Sequence, residues 1–224
     1  YYRAHHLAGN TAFVEALCGA IEGAGGSALP VFTSSLRNVS DELLETLRQA
    51  DALVVTVLAA GGSRPATAQA GGDDGAWDVG QLASLDVPVV QGLCLTRSRE
   101  EWLADDDGLS PLDVGNQVAI PEFDGRLISV PFSFKETDAD GLTHYVADPE
   151  RAARVAGTAV AHARLRHTPP AERRVEVMLS AYPTKHARIG NAVGLDTPNS
   201  VIVLLHALRE AGYAVGDLPG LESR

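Results

Sequence analysis

Basic charge is scarce in this chain of 224 residues, in which 18 lysines and arginines stand against 29 aspartates and glutamates and leave a net charge of −11. A nucleic-acid-binding protein needs a cationic face for phosphates, and electrostatic attachment to an anionic membrane needs one too. No apolar run approaches the length that crosses a bilayer. We therefore expect neither a nucleic acid nor a membrane as partner.

Cysteines and nucleotide-binding motifs are equally scarce. The two cysteines, Cys18 and Cys94, lie far apart among apolar neighbours, a setting typical of reduced core thiols, and no CxxC or CxxH spacing supports structural zinc. The chain contains no GxGxxG and no GxxxxGK[ST] motif, which argues against a dinucleotide site or a self-contained ATPase. It opens at Tyr1 and closes at Arg224, which we interpret as boundaries inside a longer protein.

Apolar segments alternate with helical patterns through the first half of the chain. Helices are predicted to begin at Asn10 and Ser40, both of which can cap a helix. Strands are predicted over Tyr1–His6, Leu29–Thr33, Ala52–Leu58 and Val87–Gln91. Ala52–Leu58 is too apolar for a half-exposed strand and is placed in the middle of a parallel sheet. The alternation predicts an α/β fold with a doubly wound, mostly parallel, Rossmann-like sheet.

The second half predicts a hairpin, a connecting helix and a new unit. Ser110-Pro111 starts a helix that Pro121 ends, Leu127–Phe134 and Leu142–Val146 form an antiparallel pair, and a helix runs from Asp148-Pro149 to about Arg166. Val175–Tyr182 is a further strand, and Thr197-Pro198 starts a helix that reaches Gly212. We predict a Rossmann-like domain over 1–146, a connecting helix and proline linker over 147–170, and a truncated second α/β unit over 171–224.

Glu122 is the first candidate for chemistry, with Gln117 beside it. The carboxylate stands between Pro121 and Phe123, a setting that predicts little water around it. Scarce water raises a carboxyl pKa and makes the group a usable acid or base near neutral pH. The alternative is an ordinary carboxylate at a helix end within a hydrogen-bond network.

Histidines at the end of the first predicted strand form the second candidate site. His5 and His6 would point to opposite faces of a strand, so one of them can take a proton or bind a metal at a site there, unless both are structural. The helix after Asn10 offers free backbone N–H groups to an anion. The long Gly-rich loop over 59–77 follows a strand, where open α/β folds bind ligands, and its alternative is a plain surface loop.

A basic loop in the second unit forms the third. Lys185, His186, Arg188 and Asn191 follow a predicted strand in an otherwise acidic chain. Such a loop at a sheet edge suits an anionic ligand, and the alternative is a polar connection between units.

Several segments together resemble one family. They are YRAHHLAGNTAF (Tyr2–Phe13), TVLAAGG (Thr56–Gly62), GLSPLDV with QVAIPEFDG (Gly108–Gly125), PFSFKE (Pro131–Glu136), ADPERAARVA (Ala147–Ala156) and LSAYPTKHARIGNAVGLDTP (Leu179–Pro198). In this order they resemble the large subunit of aerobic cobaltochelatase, the CobN type, which is similar to the H subunit of magnesium chelatase. The resemblance covers essentially the whole chain and implies an internal fragment of a longer subunit.

The resemblance implies a cytoplasmic ligase that forms nitrogen–metal bonds. It inserts Co(II) into hydrogenobyrinic acid a,c-diamide, a tetrapyrrole of aerobic cobalamin (vitamin B12) biosynthesis, while separate AAA+ subunits of the CobS and CobT type hydrolyse ATP. The fragment alone is expected to be inactive. The alternatives are a magnesium chelatase H-type subunit acting on protoporphyrin, a non-catalytic module for an anionic ligand, or a docking scaffold for the ATPase.

Residue roles follow from the resemblance and from the ring chemistry. Metal insertion removes ring N–H protons and strips water from the ion, and we expect Glu122, helped by His5 or His6, to be catalytic. Glu122 and His6 are the expected metal ligands. The residues expected to bind the tetrapyrrole and its carboxylates are Arg3, Asn10, Gln117, Lys185, His186, Arg188 and Asn191.

Overall fold

The computed structural model describes residues 1–37, 39–58, 80–179, 190 and 194–218. They divide into two compact units, Tyr1–Arg166 and His167–Arg224. The boundary lies inside the predicted connecting region. The helices are α1 (Arg3–Leu7), α2 (Ala12–Gly23), α3 (Asp41–Leu47), α4 (Gly80–Ala83), α5 (Arg99–Leu103), α6 (Pro111–Asp113), α7 (Ile120–Phe123), α8 (Pro149–His167) and α9 (Thr197–Glu210), with a π-helical segment Val114–Ala119 between α6 and α7 and a 3₁₀ turn at Pro170–Glu172. The strands are β1 (Leu53–Val55), β2 (Val89–Leu95), β3 (Leu127–Thr137) and β4 (Thr143–Ala147).

The sheet has the order β1-β2-β3-β4. The first three strands are parallel and β4 runs antiparallel to β3, which confirms the mostly parallel sheet and the predicted hairpin. The placement of Ala52–Leu58 in the middle of the sheet is wrong for the described part of the chain, because β1 lies at one end of this order. Its apolar residues are covered instead by the core around Leu44 of α3 and Leu82 of α4. The strand with every residue buried is β2.

Helices cover both faces of the sheet. Successive residues of a strand point to opposite faces, so Cys94 and Leu95 of β2 belong to different cores. The Cys94 side packs against Phe13 of α2 and Val155 of α8, whereas the Leu95 side packs against Trp102 of α5. Layers on both faces are the arrangement of a doubly wound α/β fold.

The first predicted strand, Tyr1–His6, is wrong. The chain turns into α1 directly after Tyr2, which forms one isolated parallel bridge with Thr33. Leu29–Thr33, also predicted as a strand, contributes only that bridge within the described residues. The sequence RAHHL of α1 contains no β-branched residue that would favour an extended backbone.

Three of the predicted helix starts are confirmed. Ser40 and Ser110 accept hydrogen bonds from the backbone N–H groups three residues ahead, at 3.3 and 3.1 Å, and Asp148 accepts one from Arg151 at 3.1 Å. The predicted cap at Asn10 is wrong. Thr11 precedes the first turn of α2, and the Asn10 carboxamide oxygen accepts a hydrogen bond from the Tyr145 N–H of β4 at 2.9 Å.

Two prolines sit where their missing N–H is tolerated. Pro121 was expected to end a helix, but the helical path continues past it through α7, in which the proline occupies the first turn and needs no donor. Pro131 lies within β3, at shifts in the β2–β3 register. Three steps along β3, from Ile128 to Pro131, lie opposite two steps along β2, from Gln91 to Leu93, so β3 contains a bulge of one extra residue. Bulges accommodate proline inside a sheet.

The second unit contains α9, as predicted. Asp196 accepts a hydrogen bond from the Asn199 N–H at 3.3 Å, and the helix runs to Glu210. The predicted strand Val175–Tyr182 is wrong where the structure describes it, since 175–179 forms no regular element. Residues 180–182 lie outside the described part of the chain.

Candidate functional site

Arg126 forms the centre of a buried polar cluster next to the end of β1. It precedes β3, and its side chain reaches across to the residues that follow β1. One terminal nitrogen donates to the Val57 carbonyl at 2.5 Å and to the Gln91 amide oxygen at 2.6 Å. The other donates to the Leu58 carbonyl at 2.8 Å and to the Asp124 carboxylate at 2.6 Å. One guanidinium therefore joins the end of β1, the middle of β2 and the turn after α7.

Both charges of this cluster are removed from water. The side chains of Arg126 and Asp124 are each 0% exposed. Burial lowers the pKa of the Arg126 guanidinium, and the neighbouring Asp124 carboxylate opposes that shift. Taking two ions out of water is costly, and their attraction repays the cost only with good geometry and further hydrogen bonds, which the three carbonyl acceptors supply.

Leu58 is held from a second direction. Its N–H donates to the hydroxyl of Tyr2 at 3.0 Å, and its carbonyl accepts from Arg126. Leu58, the last residue before the predicted ligand-binding loop, is therefore fixed through both its N–H and its carbonyl. The loop itself, 59–77, lies outside the described residues.

Gln117, predicted to bind substrate, has its amide engaged inside the protein. It lies on the π-helical segment and is buried. Its nitrogen donates to the Cys94 carbonyl at 3.0 Å, and its oxygen lies 3.5 Å from the Gln91 amide nitrogen. The π-helical segment directs this side chain toward the sheet, and its role in substrate binding stays a prediction.

His5 and His6 lie on α1, so the prediction that they point to opposite faces of a strand is wrong. His5 is half-buried, with ring centroids 5.4 Å from Phe13, 5.3 Å from Tyr145 and 6.2 Å from Tyr2. Burial lowers the pKa of His5. Its imidazole is therefore neutral near neutral pH, the form that accepts a proton or binds a metal.

His6 has a different environment. Its ring is exposed and stacks on Phe32 at a centroid distance of 4.4 Å, and its Nδ1 lies 3.1 Å from the Tyr1 hydroxyl. Arg3, on the same helix, is exposed. Both side chains therefore face solvent.

Glu122 does not have the sheltered environment that the sequence predicts. The side chain is exposed, and the neighbouring Phe123 is 52% exposed. In the short helix α7 the side chain of Pro121 is buried, and the buried Asp124 follows the helix. Glu122 and Phe123 between them therefore lie on the solvent side of α7. The buried carboxylates among the described residues are Asp113, Asp124 and Asp148.

Asp113 organises the end of β2. Its oxygens accept hydrogen bonds from the Thr96 N–H and hydroxyl, both at 3.2 Å, and from the Ser110 hydroxyl at 2.8 Å. The side chain is fully buried. Sequence reasoning assigned no role to Asp113, Tyr2, Gln91 or Arg126. The signal for Arg126 was a charged residue immediately before a predicted strand.

The residues expected to bind a metal or the tetrapyrrole carboxylates are not part of the buried cluster around Arg126. Within the described ranges no group of three His, Cys, Asp or Glu side chains is arranged to hold a metal ion. Glu122 and His6 are therefore not part of a group of three or more such side chains among the described residues, and their role as a pair of metal ligands stays a prediction. Lys185, His186, Arg188 and Asn191 lie outside the described residues. Across the described part, no helix is long and apolar enough to span a bilayer.

These features define an α/β protein with a polar edge at the ends of β1 and β2, where open α/β sheets bind ligands. A profile of the CobN/Magnesium Chelatase family matches residues 1–223, and the chain belongs to that family. The predicted resemblance is thereby confirmed.

Named relatives agree with this assignment. The chain is 37% identical to the aerobic cobaltochelatase subunit CobN of Pseudomonas aeruginosa and 38% identical to that of a Sinorhizobium species, over 98% of this chain in each case. The solved catalytic subunit of cobaltochelatase from Mycobacterium tuberculosis is 66% identical over 99% of the chain, with a TM-score of 0.90. The chain spans only 18% and 17% of the two subunits and 18% of the solved chain.

Proposed function

We propose that this chain is part of the tetrapyrrole-binding subunit of a cobaltochelatase that inserts Co(II) into hydrogenobyrinic acid a,c-diamide in aerobic cobalamin biosynthesis. The observation that carries the proposal is the match to cobaltochelatase subunits along essentially the whole chain, at 66% identity for the solved one. Co(II) is a substrate here, captured and transferred to the ring.

The energy for insertion is proposed to come from partner subunits. The sequence contains neither of the two glycine-rich phosphate-binding motifs, which fits a division of labour with AAA+ subunits of the CobS and CobT type. We expect the complex to be cytoplasmic and ATP-dependent, and the present chain to be inactive on its own because most of the subunit is outside it.

The proposed chemistry assigns proton transfer to two residues. His5 supplies a neutral imidazole, since burial lowers its pKa. Glu122 supplies an exposed carboxylate that a bound ring can reach directly, and binding of an apolar macrocycle would remove water from it. Accepting ring N–H protons frees the nitrogens for the metal.

Metal delivery and substrate recognition are proposed for the exposed groups. Glu122 and His6 would hold the ion briefly, as oxygen and imidazole ligands do for divalent first-row metals. The tetrapyrrole carboxylates would pair with cationic side chains, because charge-assisted hydrogen bonds are the strong ones. We assign this role to Arg3, Lys185, His186 and Arg188, with Asn10 and Asn191 as neutral partners.

Glu122→Gln in the complete subunit tests the proposal. With AAA+ partners, ATP and Co(II), we expect insertion to slow by about 10²-fold, the typical worth of a proton-transfer group. Tetrapyrrole binding should persist. Glu150→Gln, on the exposed first turn of α8, is the matched control and should insert at the unmodified rate. Full activity of Glu122→Gln would remove the proposed role of this carboxylate.

Magnesium chelatase is the second candidate, because the matching family profile covers both enzymes. Assaying the complete subunit with Mg²⁺ and protoporphyrin separates the two. Titrating the present chain with a corrinoid, with and without Co(II), separates catalysis from mere binding of an anionic ligand. A pull-down with the AAA+ subunits tests the docking alternative.

A further inference from the structure

We propose that Arg126 is a positioning residue for metal insertion, whose buried guanidinium holds the end of β1 against the turn after α7. The inference rests on the proposed function, because it takes His5 and Glu122 to be the residues that transfer protons during insertion. Arg126 itself is fully covered and touches neither substrate nor metal.

The planar Arg126 guanidinium binds several segments of the chain at once. Its two terminal nitrogens meet four acceptors from three segments of the chain: the carbonyls of Val57 and Leu58, the amide of Gln91 and the carboxylate of Asp124. A planar guanidinium can bind several acceptors at fixed angles, whereas a lysine ammonium provides one point of charge. The contacts therefore fix the mutual placement of these segments as well as their proximity.

The segments that Arg126 joins connect to the two residues proposed for proton transfer. Tyr2, whose hydroxyl accepts the Leu58 N–H, has its ring 6.2 Å from that of His5. Asp124 lies two residues after Glu122, and the Glu122 carbonyl accepts the Gly125 N–H at 2.9 Å in the same turn. Arg126 thus connects Leu58, which Tyr2 links to the proposed imidazole base, with the turn that bears the proposed carboxylate.

A buried ion pair such as Arg126 and Asp124 contributes little to the stability of the fold by itself. Replacing a buried ion pair by well-packed apolar residues is often neutral or stabilising, whereas removing one partner is strongly destabilising. A buried pair is consequently better explained by the single arrangement that it imposes. Misplacement by about 1 Å can cost about 10²-fold in rate, so a site with proton transfer and metal capture benefits from that arrangement.

Arg126→Lys in the complete subunit tests the proposal, with Arg154→Lys as the control because Arg154 makes an exposed ion pair on α8. We expect kcat per folded molecule to fall by about tenfold or more, while the tetrapyrrole Kd changes by less than about threefold. We also expect faster amide hydrogen exchange over 56–58. A residue that only stabilises the fold would reduce the folded fraction and leave kcat per folded molecule unchanged, and that result would overturn the proposal.

Tyr2→Phe provides a second test in case Arg126→Lys does not fold. It removes the second restraint on Leu58, and we expect faster exchange at this amide with a smaller loss of kcat. Faster exchange with an unmodified kcat would contradict the inference.

If the unmodified complex inserts Mg²⁺ into protoporphyrin and not Co(II), the proposed function fails while the same kcat comparison still tests Arg126. If it inserts neither, unchanged exchange over 56–58 in Arg126→Lys overturns the positioning role.

Discussion

Asp113→Ala provides the sharpest test of how the end of β2 is built. The change removes a fully buried carboxylate that accepts three hydrogen bonds, two from Thr96 and one from Ser110. The hydroxyls can turn toward other acceptors, but the Thr96 N–H has a fixed direction. Losing bonds to a charged acceptor and leaving a donor unsatisfied costs about 3–5 kcal/mol of unfolding free energy.

Asp113→Asn separates the charge from the shape. The amide oxygen can still accept the Thr96 N–H, and the amide nitrogen can donate to hydroxyls that rotate to accept. We therefore expect a loss of only about 1–2 kcal/mol, because geometry is kept and only the charge assistance is lost. The matched control is Asp106→Ala, an exposed aspartate in the preceding loop, which should stay within about 0.5 kcal/mol.

Urea unfolding followed by far-UV circular dichroism gives these differences, and thermal unfolding gives an independent check. For a chain of this size about 1 kcal/mol corresponds to about 2–4 °C in Tm, so Asp113→Ala should lower Tm by about 6–20 °C. Equal losses for Asp113→Ala and Asp106→Ala would refute the reasoning, because the buried acceptor would then contribute no more than a solvated one.

Three further outcomes are expected of the same chain. Asn10→Ala should cost about 1–2 kcal/mol in urea unfolding because the Tyr145 N–H loses its acceptor, whereas Asn10→Asp, which keeps an oxygen there, should cost less; equal effects would contradict this account. Burial lowers the pKa of His5 in the folded state. The contribution of the neutral imidazole to the unfolding free energy is therefore fully present above the unfolded pKa near 6.5 and is lost as pH falls through the lower folded pKa. Tm should drop over that pH window, and His5→Gln should make the drop smaller. Burial raises the pKa of the Cys94 thiol to about 12, so iodoacetamide at pH about 8 should label Cys94 only after denaturation, as read by mass spectrometry; labelling in the folded chain would show that the core at β2 opens.

The sequence predicted best those features that depend on local chemistry. The serine and aspartate caps at Ser40, Ser110 and Asp148 were read correctly because capping involves residues three positions apart. The hairpin of β3 and β4 was found for the same reason, since its turn over 138–141 is local. The family resemblance was confirmed because it rests on many ordered segments at once.

Features that depend on distant partners were missed. A proline and a phenylalanine beside Glu122 suggested shelter, but burial is decided by the packing of α7, which turns Pro121 inward and leaves the carboxylate outside. Arg126 could not be assigned to the interior, because its acceptors at Val57 and Leu58 stand far away along the chain. Asn10 was taken for a cap because its partner, Tyr145, lies 135 positions further on.

The π-helical segment Val114–Ala119 limits which changes of length this region can tolerate. Deleting one of its residues to restore an ordinary helix would rotate the preceding or following side chains by about 100° relative to one another. Gln117 would then leave the Cys94 carbonyl at the irregular β2–β3 pairing. Single-residue deletions between Ser110 and Phe123 should therefore be rarer among members of this family than deletions in the turn of the β3–β4 hairpin. A deletion in the π-helical segment should be accompanied by a second deletion in β3 that makes its pairing with β2 regular.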